Sequence, residues 1–586
     1  MAAPGKLALV LLFALVYGIC LSQPVRTGSG EGKTPPLERI VSVKVTNVAL
    51  GEVLKKVSEQ GQFSFSYNSK NIDIDRKITL HLQNKPVRTV LHAIFRGSVV
   101  YKSKNNYIIL SAAPQKNETD TSPKYLQVSG YTFDKPTSAK LKQVSIFEEN
   151  TLYSTVSDNY GYFILQVPNS TEQVKLKIRK EGYGDTVIVL SKDFFQAIEI
   201  VLMPLPPKIE PPPPVETFIA LADTGLTDPG KSFSEKVNAF DFLLNSTMKT
   251  NLRNLSDTFF RKTQFSVVPP LSTNKLIGTN AMNNVSFNLF AGYTGGVKYA
   301  EIGGLLNVDR GDVQYVQVAG LVNAVGGKTT GFQAAGLTNV CHDDVYGFQV
   351  AGLFNINAKQ TKGLQIGGLF NYAKSVKGVQ VAGLFNYAKI IKGVQVSTFN
   401  FADSSAGIPI GFFSFVKHGY HKIELNADEV CYGNLALKTG VEKLHNIFTA
   451  GIGPVKESVP IWTFGYGLGT SFKLSPKLVF DIDLVASHYA WKMQSPRLNA
   501  DTLIAGTYNA WMNMNNKIYL GIDWRFAKKI SLAAGPTLNI FLTDTRNTDY
   551  TSLWNELRPS YLYSEAVDTN LQMHIWIGGK IALRFF

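Results

Sequence analysis

Apolar and polar residues alternate over most of the chain, which is the period of β-strands. From Ile302 onward, a unit resembling Gly-Val-Gln-Val-Ala-Gly-Leu-Phe-Asn recurs every 15 or 16 residues. Within one unit, Val381 and Phe385 share a face, whereas Gln380 and Asn386 lie on the opposite face. An apolar and a polar face over about ten residues, followed by a short turn, are typical of a transmembrane β-strand.

The segments after the repeats alternate in the same way. Apolar residues interleave with Asp481 and Asp483 in one segment, and with Lys580 and Arg584 in the last one. In a membrane barrel the apolar face contacts lipid and the charged face lines the hydrated lumen. We therefore predict a β-barrel over residues 280–586, including the repeats at about 302–402, with roughly 14 to 18 strands.

The repeats also supply candidate site residues. A row of glutamines is predicted to line the lumen: Gln317, Gln333, Gln349, Gln365, Gln380 and Gln395. Three turns share the pattern Ala-Lys-x-x-Lys-Gly, and their lysines are predicted to contact the phosphates of outer-membrane lipid or lipopolysaccharide through charge-assisted bonds: Lys359, Lys362, Lys374, Lys377, Lys389 and Lys392. A structural amide ladder and solvated turn lysines are the alternative interpretations.

The N-terminus predicts export. Lys6 precedes the apolar run from Leu7 to Leu21, and small or polar residues follow, so residues 1–22 read as a signal peptide. No later apolar run is long enough for a membrane helix, so a membrane-spanning chain must close a barrel. Two cysteines remain, Cys341 and Cys431, and a bridge between them is permitted but not required.

Residues 38–111 predict a small α+β domain. Leu50 to Gln60 has helical spacing, and Pro86 opens a second helix that runs to Phe95, with alternating strands around both. The pattern Phe63-x-Phe65-x-Tyr67 and the two helices resemble the short N-terminal (STN) domain of secretins and TonB-dependent receptors. The resemblance implies a periplasmic, non-catalytic domain that contacts a periplasmic or inner-membrane protein.

Residues 125–203 predict a β-rich domain in which Asp158 and Gly161 form a tight turn. It resembles the carboxypeptidase regulatory-like domain, a transthyretin-like β-sandwich without catalytic residues. Residues 204–275 follow as a proline-rich linker, with a helix predicted over Phe240 to Leu255.

Charge and candidate chemistry change this picture little. The net charge of +15 comes without a basic run or a nucleic-acid motif, so nucleic-acid binding is not expected. His418 and His421 have acidic neighbours, but residues three apart on a strand face opposite sides, which disfavours a metal site. Ser487 and His488 also point apart, which disfavours a hydrolase. We expect no cofactor and no enzymatic activity.

The sequence thus predicts a multidomain, mainly β protein: a small α+β STN domain, a transthyretin-like β-sandwich and a C-terminal transmembrane β-barrel. The arrangement resembles surface-repeat proteins of Bacteroidetes-type outer membranes, which implies an outer-membrane location, with the N-terminal domains in the periplasm, but no activity. We expect a non-enzymatic role in envelope transport or signalling. Residues 217–275 are too few for the plug of a TonB-dependent transporter. A surface-exposed β-solenoid adhesin, with stacked coils and asparagine ladders, is the second interpretation, and a lipid-acting barrel enzyme is the third.

Overall fold

The protein was analysed as a computed structural model. It describes residues 34–68, 72–96, 98–112, 125–168, 173–190, 195–206, 239–456, 459–490, 513–544 and 562–586. The predicted signal peptide and most of the proline-rich linker lie outside these residues. The chain folds into two compact units; the first contains the described residues up to Ser129, and the second contains nearly all the rest. Within the described part of the chain, no helix is long and apolar enough to cross a membrane.

The first domain has five strands and two helices: β1 (Ile40–Ala49), α1 (Leu50–Gly61), β2 (Ser64–Tyr67), β3 (Lys77–Pro86), α2 (Val87–Phe95), β4 (Val99–Lys104) and β5 (Tyr107–Ala112). Strand β1 pairs antiparallel with β3, while β5 lies between β2 and β4. Helix α1 buries one stripe, from Leu50 to Val57, in the core between these elements. Both helices lie where the apolar spacing predicts them, and the α+β prediction is confirmed.

The next domain consists of seven strands: β6 (Tyr125–Asp134), β7 (Ser145–Glu148), β8 (Ser154–Val156), β9 (Tyr162–Pro168), β10 (Val174–Arg179), β11 (Thr186–Leu190) and β12 (Phe195–Leu202). They form one sheet in the order β11-β10-β7-β8 and a second in the order β12-β6-β9. The predicted turn is present: Asp158 Oδ1 accepts from the backbone of Tyr160 and Tyr162 at 2.9 Å, and Gly161 has φ +73°. The likeness to the regulatory-like domain stays a prediction.

A short helix leads into the repeats. Helix α3 (Ser246–Asn254) lies inside the predicted span, and the Asn245 side chain caps it by accepting from Met248 N at 2.8 Å. Its apolar residues, among them Met248, pack on Tyr293, Val308 and Ala324 in the first repeat units. The helix therefore covers part of the outside of the structure that the repeats form.

Seventeen strands build that structure: β13 (Phe259–Ser266), β14 (Ala281–Asn288), β15 (Ala291–Thr294), β16 (Gly296–Gly303), β17 (Leu306–Asp309), β18 (Val313–Ala319), β19 (Val322–Val325), β20 (Thr329–Ala335), β21 (Thr338–Cys341), β22 (Val345–Ala351), β23 (Phe354–Gly367), β24 (Phe370–Ala382), β25 (Phe385–Ile391), β26 (Val394–Val396), β27 (Phe399–Ser405), β28 (Ile408–Ile410) and β29 (Phe413–Val416).

Equivalent strands of successive units pair in parallel. Strand β20 lies between β18 and β22, so that Gln333 is in register with both Gln317 and Gln349. A chain that returns beside itself after 15 or 16 residues forms a β-solenoid, not part of an antiparallel barrel. The prediction of a barrel from residue 280 is therefore wrong for the repeats. Each unit is one coil rather than one arm of a hairpin: the earlier coils have two short strands, whereas β23 and β24 continue through one of the two corners.

Glycine at one turn explains why the coils stack so tightly. A Cβ atom on Gly336 would lie 2.1 Å from the carbonyl oxygen of Gly320, its counterpart in the preceding coil, and Gly352 meets Gly336 at the same distance. No side chain fits there. The glycine column therefore fixes the spacing between coils at this turn.

The last strands form an antiparallel sheet: β30 (Tyr420–Asp428), β31 (Gly433–Val441), β32 (Leu444–Lys456), β33 (Val459–Lys473), β34 (Leu478–Ala490), β35 (Asn513–Arg525), β36 (Ile530–Asp544), β37 (Tyr563–Asp568) and β38 (Leu571–Phe585). Strand β38 pairs with β36 on one side and with β30 on the other, which closes an eight-stranded barrel. The mainly β fold with a C-terminal barrel is confirmed. The expectation of roughly 14 to 18 strands is wrong because the repeats do not contribute to it.

Candidate functional site

The barrel interior is filled by ionised side chains. Arg584 Nε donates to Glu424 at 2.7 Å, and its Nη1 lies 3.2 Å from Asp523 and also contacts Asp481. Lys438 Nζ lies 2.6 Å from Asp483. Lys422 and Lys580 complete a set of four cations and four carboxylates inside the barrel. The charges compensate one another, as buried charges must.

A second layer closes the interior toward the far ends of the strands. Glu429, in the connection between β30 and β31, accepts from Trp576 Nε1 and Asn539 Nδ2 at 2.9 Å and from Gly579 N at 3.0 Å. Trp576 also packs with Tyr489 and other apolar residues. Eight strands leave an interior just wide enough for such side chains. The described part of the barrel is therefore packed rather than open.

The outer wall of the barrel is apolar, as the alternation predicts. Large exposed side chains recur on it: Leu435, Leu437, Phe464, Leu484, Trp524, Ile577 and Ile581. Asp481 and Lys580 face inward on the same strands. The inward and outward faces predicted for this half of the chain agree with the structure.

The candidate metal and hydrolase residues are not brought together. His418 Nδ1 contacts the carbonyl oxygen of Asp403 at 2.9 Å, whereas His421 Nε2 contacts that of Val416 at 2.5 Å. His488 packs on the outward-facing Phe464, whereas Asp481 pairs with Arg584 inside the barrel. Among the described residues, no group of three or more acidic, His or Cys residues is placed to hold a metal ion. The two described cysteines, Cys341 and Cys431, are free and buried.

The glutamine row lies inside the solenoid, not in the barrel lumen. From Gln333 onward, each glutamine donates through Nε2 to the Oε1 atom of the glutamine one coil earlier: Gln333 to Gln317, Gln349 to Gln333 and Gln365 to Gln349, all at 2.7 Å. All six glutamines are fully buried. The lumen-lining assignment is therefore wrong, because parallel stacking puts identical side chains in contact along one axis. The amide-ladder alternative describes the structure.

An asparagine ladder runs beside it in the opposite sense. Asn323 Nδ2 donates to Asn339 Oδ1 in the next coil at 2.9 Å and to the carbonyl oxygen of Ala334 at 2.7 Å. Asn339 repeats the arrangement with Asn355 and Val350. Since a buried amide without partners is costly, the two ladders fix the register of every coil.

Two acidic residues begin the glutamine ladder, and the repeat pattern did not predict them. Gln317 Nε2 donates to Glu301 Oε2 at 2.8 Å and to Asp309 Oδ2 at 2.6 Å, and both acidic residues are fully buried. Glu301 stands in register with Gln317, where later coils have glutamine. Aligning the repeat one unit further toward the N-terminus would have placed this carboxyl group inside the stack.

The predicted lipid-binding lysines lie together at one edge of the solenoid. Lys362 and Lys377 are in register on adjacent coils, and both are exposed. Lys362 Nζ lies 4.9 Å from the Tyr346 ring centroid, while Lys359 pairs with Asp343 at 3.0 Å. Lys374, Lys389 and Lys392 belong to the equivalent turns of the following coils. The structure thus gathers the six lysines, and their ligand is considered below.

The first domain is similar to a known protein family. Residues 63–113 match the secretin and TonB N-terminus short domain. The match begins at the strand Phe63-x-Phe65-x-Tyr67 and includes helix α2 and strands β4 and β5, so the STN prediction is confirmed for this segment. No curated protein matches the chain. An STN domain and a closed barrel fit an outer-membrane protein of TonB-related type.

Proposed function

We propose that the chain is a non-enzymatic outer-membrane protein, anchored by its barrel, that holds its N-terminal domains in the periplasm for contact with a partner protein. The observation that best supports this is the barrel itself, with an apolar outer wall and a charge-filled interior. In water the wall would be a large exposed hydrophobic surface. In lipid it is solvated, and a closed barrel leaves no unpaired strand edge.

The connections support a periplasmic position for the preceding domains. At the end where the chain enters at Tyr420, the strands are joined by the short segments 442–443, 474–477 and 526–529. At the opposite end, the strands are separated in sequence by the short segments 429–432 and 457–458 and by the longer intervals 491–512 and 545–562. Outer-membrane barrels have short periplasmic turns and longer external loops. This orientation favours periplasmic modules over a surface-exposed adhesin.

The filled interior favours anchoring over conduction. Asp481 and Arg584 are fully buried in the middle of the barrel, and no plug domain or open lumen is needed to explain the described residues. A role in transport or signalling would therefore run through the periplasmic domains and their partner.

The anchoring proposal is tested by fractionation of cells that express the full chain. We expect the protein to remain in outer membranes after alkaline extraction and to migrate faster on gels when unheated, because closed barrels resist detergent. Protease added to intact cells should spare the N-terminal domains. Recovery in the soluble fraction, or cleavage of those domains from outside, would refute the proposal.

The partner is expected on the exposed sheet face of the first domain. Tyr107 and Ile109 are exposed there on strand β5, in register with the exposed Ser64 and Ser66 of strand β2. A photo-crosslinking residue at Ile109 should capture a periplasmic or inner-membrane protein. The same residue at Lys55, exposed on helix α1, is the matched control. Equal capture at both positions would argue against this face.

A further inference from the structure

The outside of the solenoid carries large exposed apolar side chains on successive coils. Its interior holds the amide ladders beside buried apolar residues such as Val313 and Val345, and large apolar side chains recur on its outside: Phe332 and Phe348 are 41% and 54% exposed on one flank. On the other flank, the Phe370 and Phe385 rings stack at 4.9 Å between centroids. Scattered surface apolar residues are ordinary, but a continuous apolar surface marks an interaction site.

Charges are confined to one edge of the coils. Between Val313 and Val416 the chain has seven lysines and three aspartates, and all lie at one corner of the coils, in the segments 326–328, 342–344, 357–362, 373–377, 388–392 and 403–407, which we call the basic edge. The opposite turns form the leucine edge, with Leu321, Leu337, Leu353, Leu369 and Leu384 at equivalent positions. The outward positions of both flanks between the two edges carry no charged residue.

The leucine edge also leaves few polar backbone groups unpaired. The amide of Leu337 donates to the carbonyl oxygen of Leu321 at 2.9 Å, Leu353 to Leu337 at 2.9 Å, and Leu369 to Leu353 at 3.0 Å. Equivalent bonds join the coils at the basic edge, such as that from the amide of Gly327 to the carbonyl oxygen of Gly311 at 3.1 Å, so these bonds make the leucine edge compatible with lipid without setting it apart. A hydrocarbon environment requires them, because no water is present to satisfy the backbone.

The last coil fixes the depth of the two edges relative to the barrel. At the leucine edge, the Phe412 ring stacks on Tyr466 at 5.0 Å and lies edge-on to Phe448 at 5.6 Å, and both partners are on the outer wall of the barrel. Asn446 Nδ2 also donates to the carbonyl oxygen of Gly411 at 2.8 Å.

At the basic edge, Val416 packs with Val441, next to the short connection 442–443. The leucine edge therefore lies against the apolar wall, while the basic edge lies level with the short-connection rim.

We propose that the coils from Val313 to Val416 are inserted in the lipid beside the barrel, with the leucine edge in the hydrocarbon and the basic edge at the phosphates of the periplasmic leaflet. The inference rests on the proposed membrane barrel. A seven-residue strand such as β20 spans about 23 Å, close to the apolar band of about 25 Å on outer-membrane barrels. The coil dimensions therefore suit the bilayer.

The arrangement of the lysines is consistent with lipid phosphates beside them. Lys362 and Lys377 stand side by side on adjacent coils, and like charges directly opposite repel. Lipid phosphates remove that repulsion through charge-assisted hydrogen bonds. In the earlier coils, helix α3 covers the flank at Val308 and Ala324, whereas the flanks of later coils are exposed or half-buried. Lipid takes the place of the helix there.

The insertion is tested with nitroxide labels on the full mature chain reconstituted in bilayers of phosphatidylcholine and phosphatidylglycerol. Leu337→Cys probes the leucine edge, Phe464→Cys the barrel wall and Val189→Cys an exposed strand of the sandwich, each without native cysteines. We expect Leu337 and Phe464 labels to collide with dissolved oxygen and to lose collisions with a water-soluble nickel chelate. The Val189 label should collide with both.

Each outcome has a separate meaning. Nickel access at Leu337 with exclusion at Phe464 overturns the insertion and leaves the membrane barrel intact. Nickel access at both positions overturns the barrel proposal as well. Exclusion of oxygen and nickel at Leu337, together with dipolar broadening between labels, would show that a second copy of the chain covers the edge and would also overturn the insertion.

The lysines are tested separately. In detergent, we expect added phosphatidylglycerol to raise the thermal midpoint of the unmodified chain more than phosphatidylcholine does. Combined Lys362→Gln, Lys377→Gln and Lys392→Gln substitutions should abolish that difference. Lys55→Gln with Lys56→Gln, on exposed positions of helix α1, should retain it. An unchanged difference in the triple variant would refute lipid binding at the basic edge.

Discussion

Arg584 is the cation on which the interior of the barrel depends most. Its guanidinium group is fully buried and contacts Glu424, Asp481 and Asp523. In an Arg584→Met variant, Glu424 would keep Lys438 and Lys580, and Asp523 would keep Lys422. Asp481 would keep the hydrogen bond from the hydroxyl group of Ser471, at 2.6 Å, but no cation in contact among the described residues. The variant therefore leaves one buried carboxylate without a cation.

The size of the effect follows from that loss. Removing one partner of a buried ion pair costs about 3–5 kcal/mol, which is a large part of an ordinary folding free energy of about 5–15 kcal/mol. Lys473→Met is the matched control, because Lys473 pairs with Glu442 at 2.8 Å with side-chain exposures of 58% and 39%. An exposed pair of this kind contributes less than about 1 kcal/mol.

The assay is urea unfolding of the refolded protein in detergent, followed by the mobility of unheated samples on gels. Refolding from urea removes any dependence on cellular assembly of the C-terminal strand. Adding Asp481→Asn to Arg584→Met should recover about 0.5–3 kcal/mol, because the uncompensated charge is gone. No recovery would assign the loss to packing. An Arg584→Met midpoint equal to that of Lys473→Met would refute the desolvated interior and reopen a conducting role.

Three further changes test the coils and the sandwich. Gly336→Ala should loosen the coils, because the added Cβ atom would lie 2.1 Å from a carbonyl oxygen. Faster amide hydrogen exchange in the solenoid would show this. Gly433→Ala is the control, because its Cβ atom would have no atom within 4 Å, and it should have no effect. Gln349→Leu should cost about 2 kcal/mol in solenoid unfolding, since it leaves one donor and one acceptor unpaired; exposed Gln314→Leu should cost little. Hydrogen bonds from Lys175 and Lys177 lower the pKa of Glu149 to about 2. The carboxylate should therefore stabilise the sandwich above pH 4.5 and lose this effect as the pH falls toward 2. Glu149→Gln should remove that part of the pH dependence of the urea midpoint.

Local pattern predicted the elements whose neighbours in space are also neighbours in sequence. The stripe from Leu50 to Val57 predicts helix α1 because the helical period alone determines which residues can share a core. The alternation around Asp481 likewise predicts which side chains enter the barrel. It does not predict that Arg584 meets Glu424, since 160 residues separate them and only the closure of β38 on β30 brings them together.

The repeats show where alternation stops being informative, because both a barrel strand and a solenoid coil place every second residue on one face. Direction along the chain distinguishes the two. Successive strands of a barrel run in opposite directions, so identical units would send their Ala-Lys-x-x-Lys-Gly turns alternately to the two ends. All three turns lie at one edge instead, because Gly368 and its equivalents add a second turn inside each unit. A same-sense repeat of 15 or 16 residues with glycine in its middle therefore predicts a coil, and the large apolar side chains on the outside of successive coils are what the proposed contact with lipid explains.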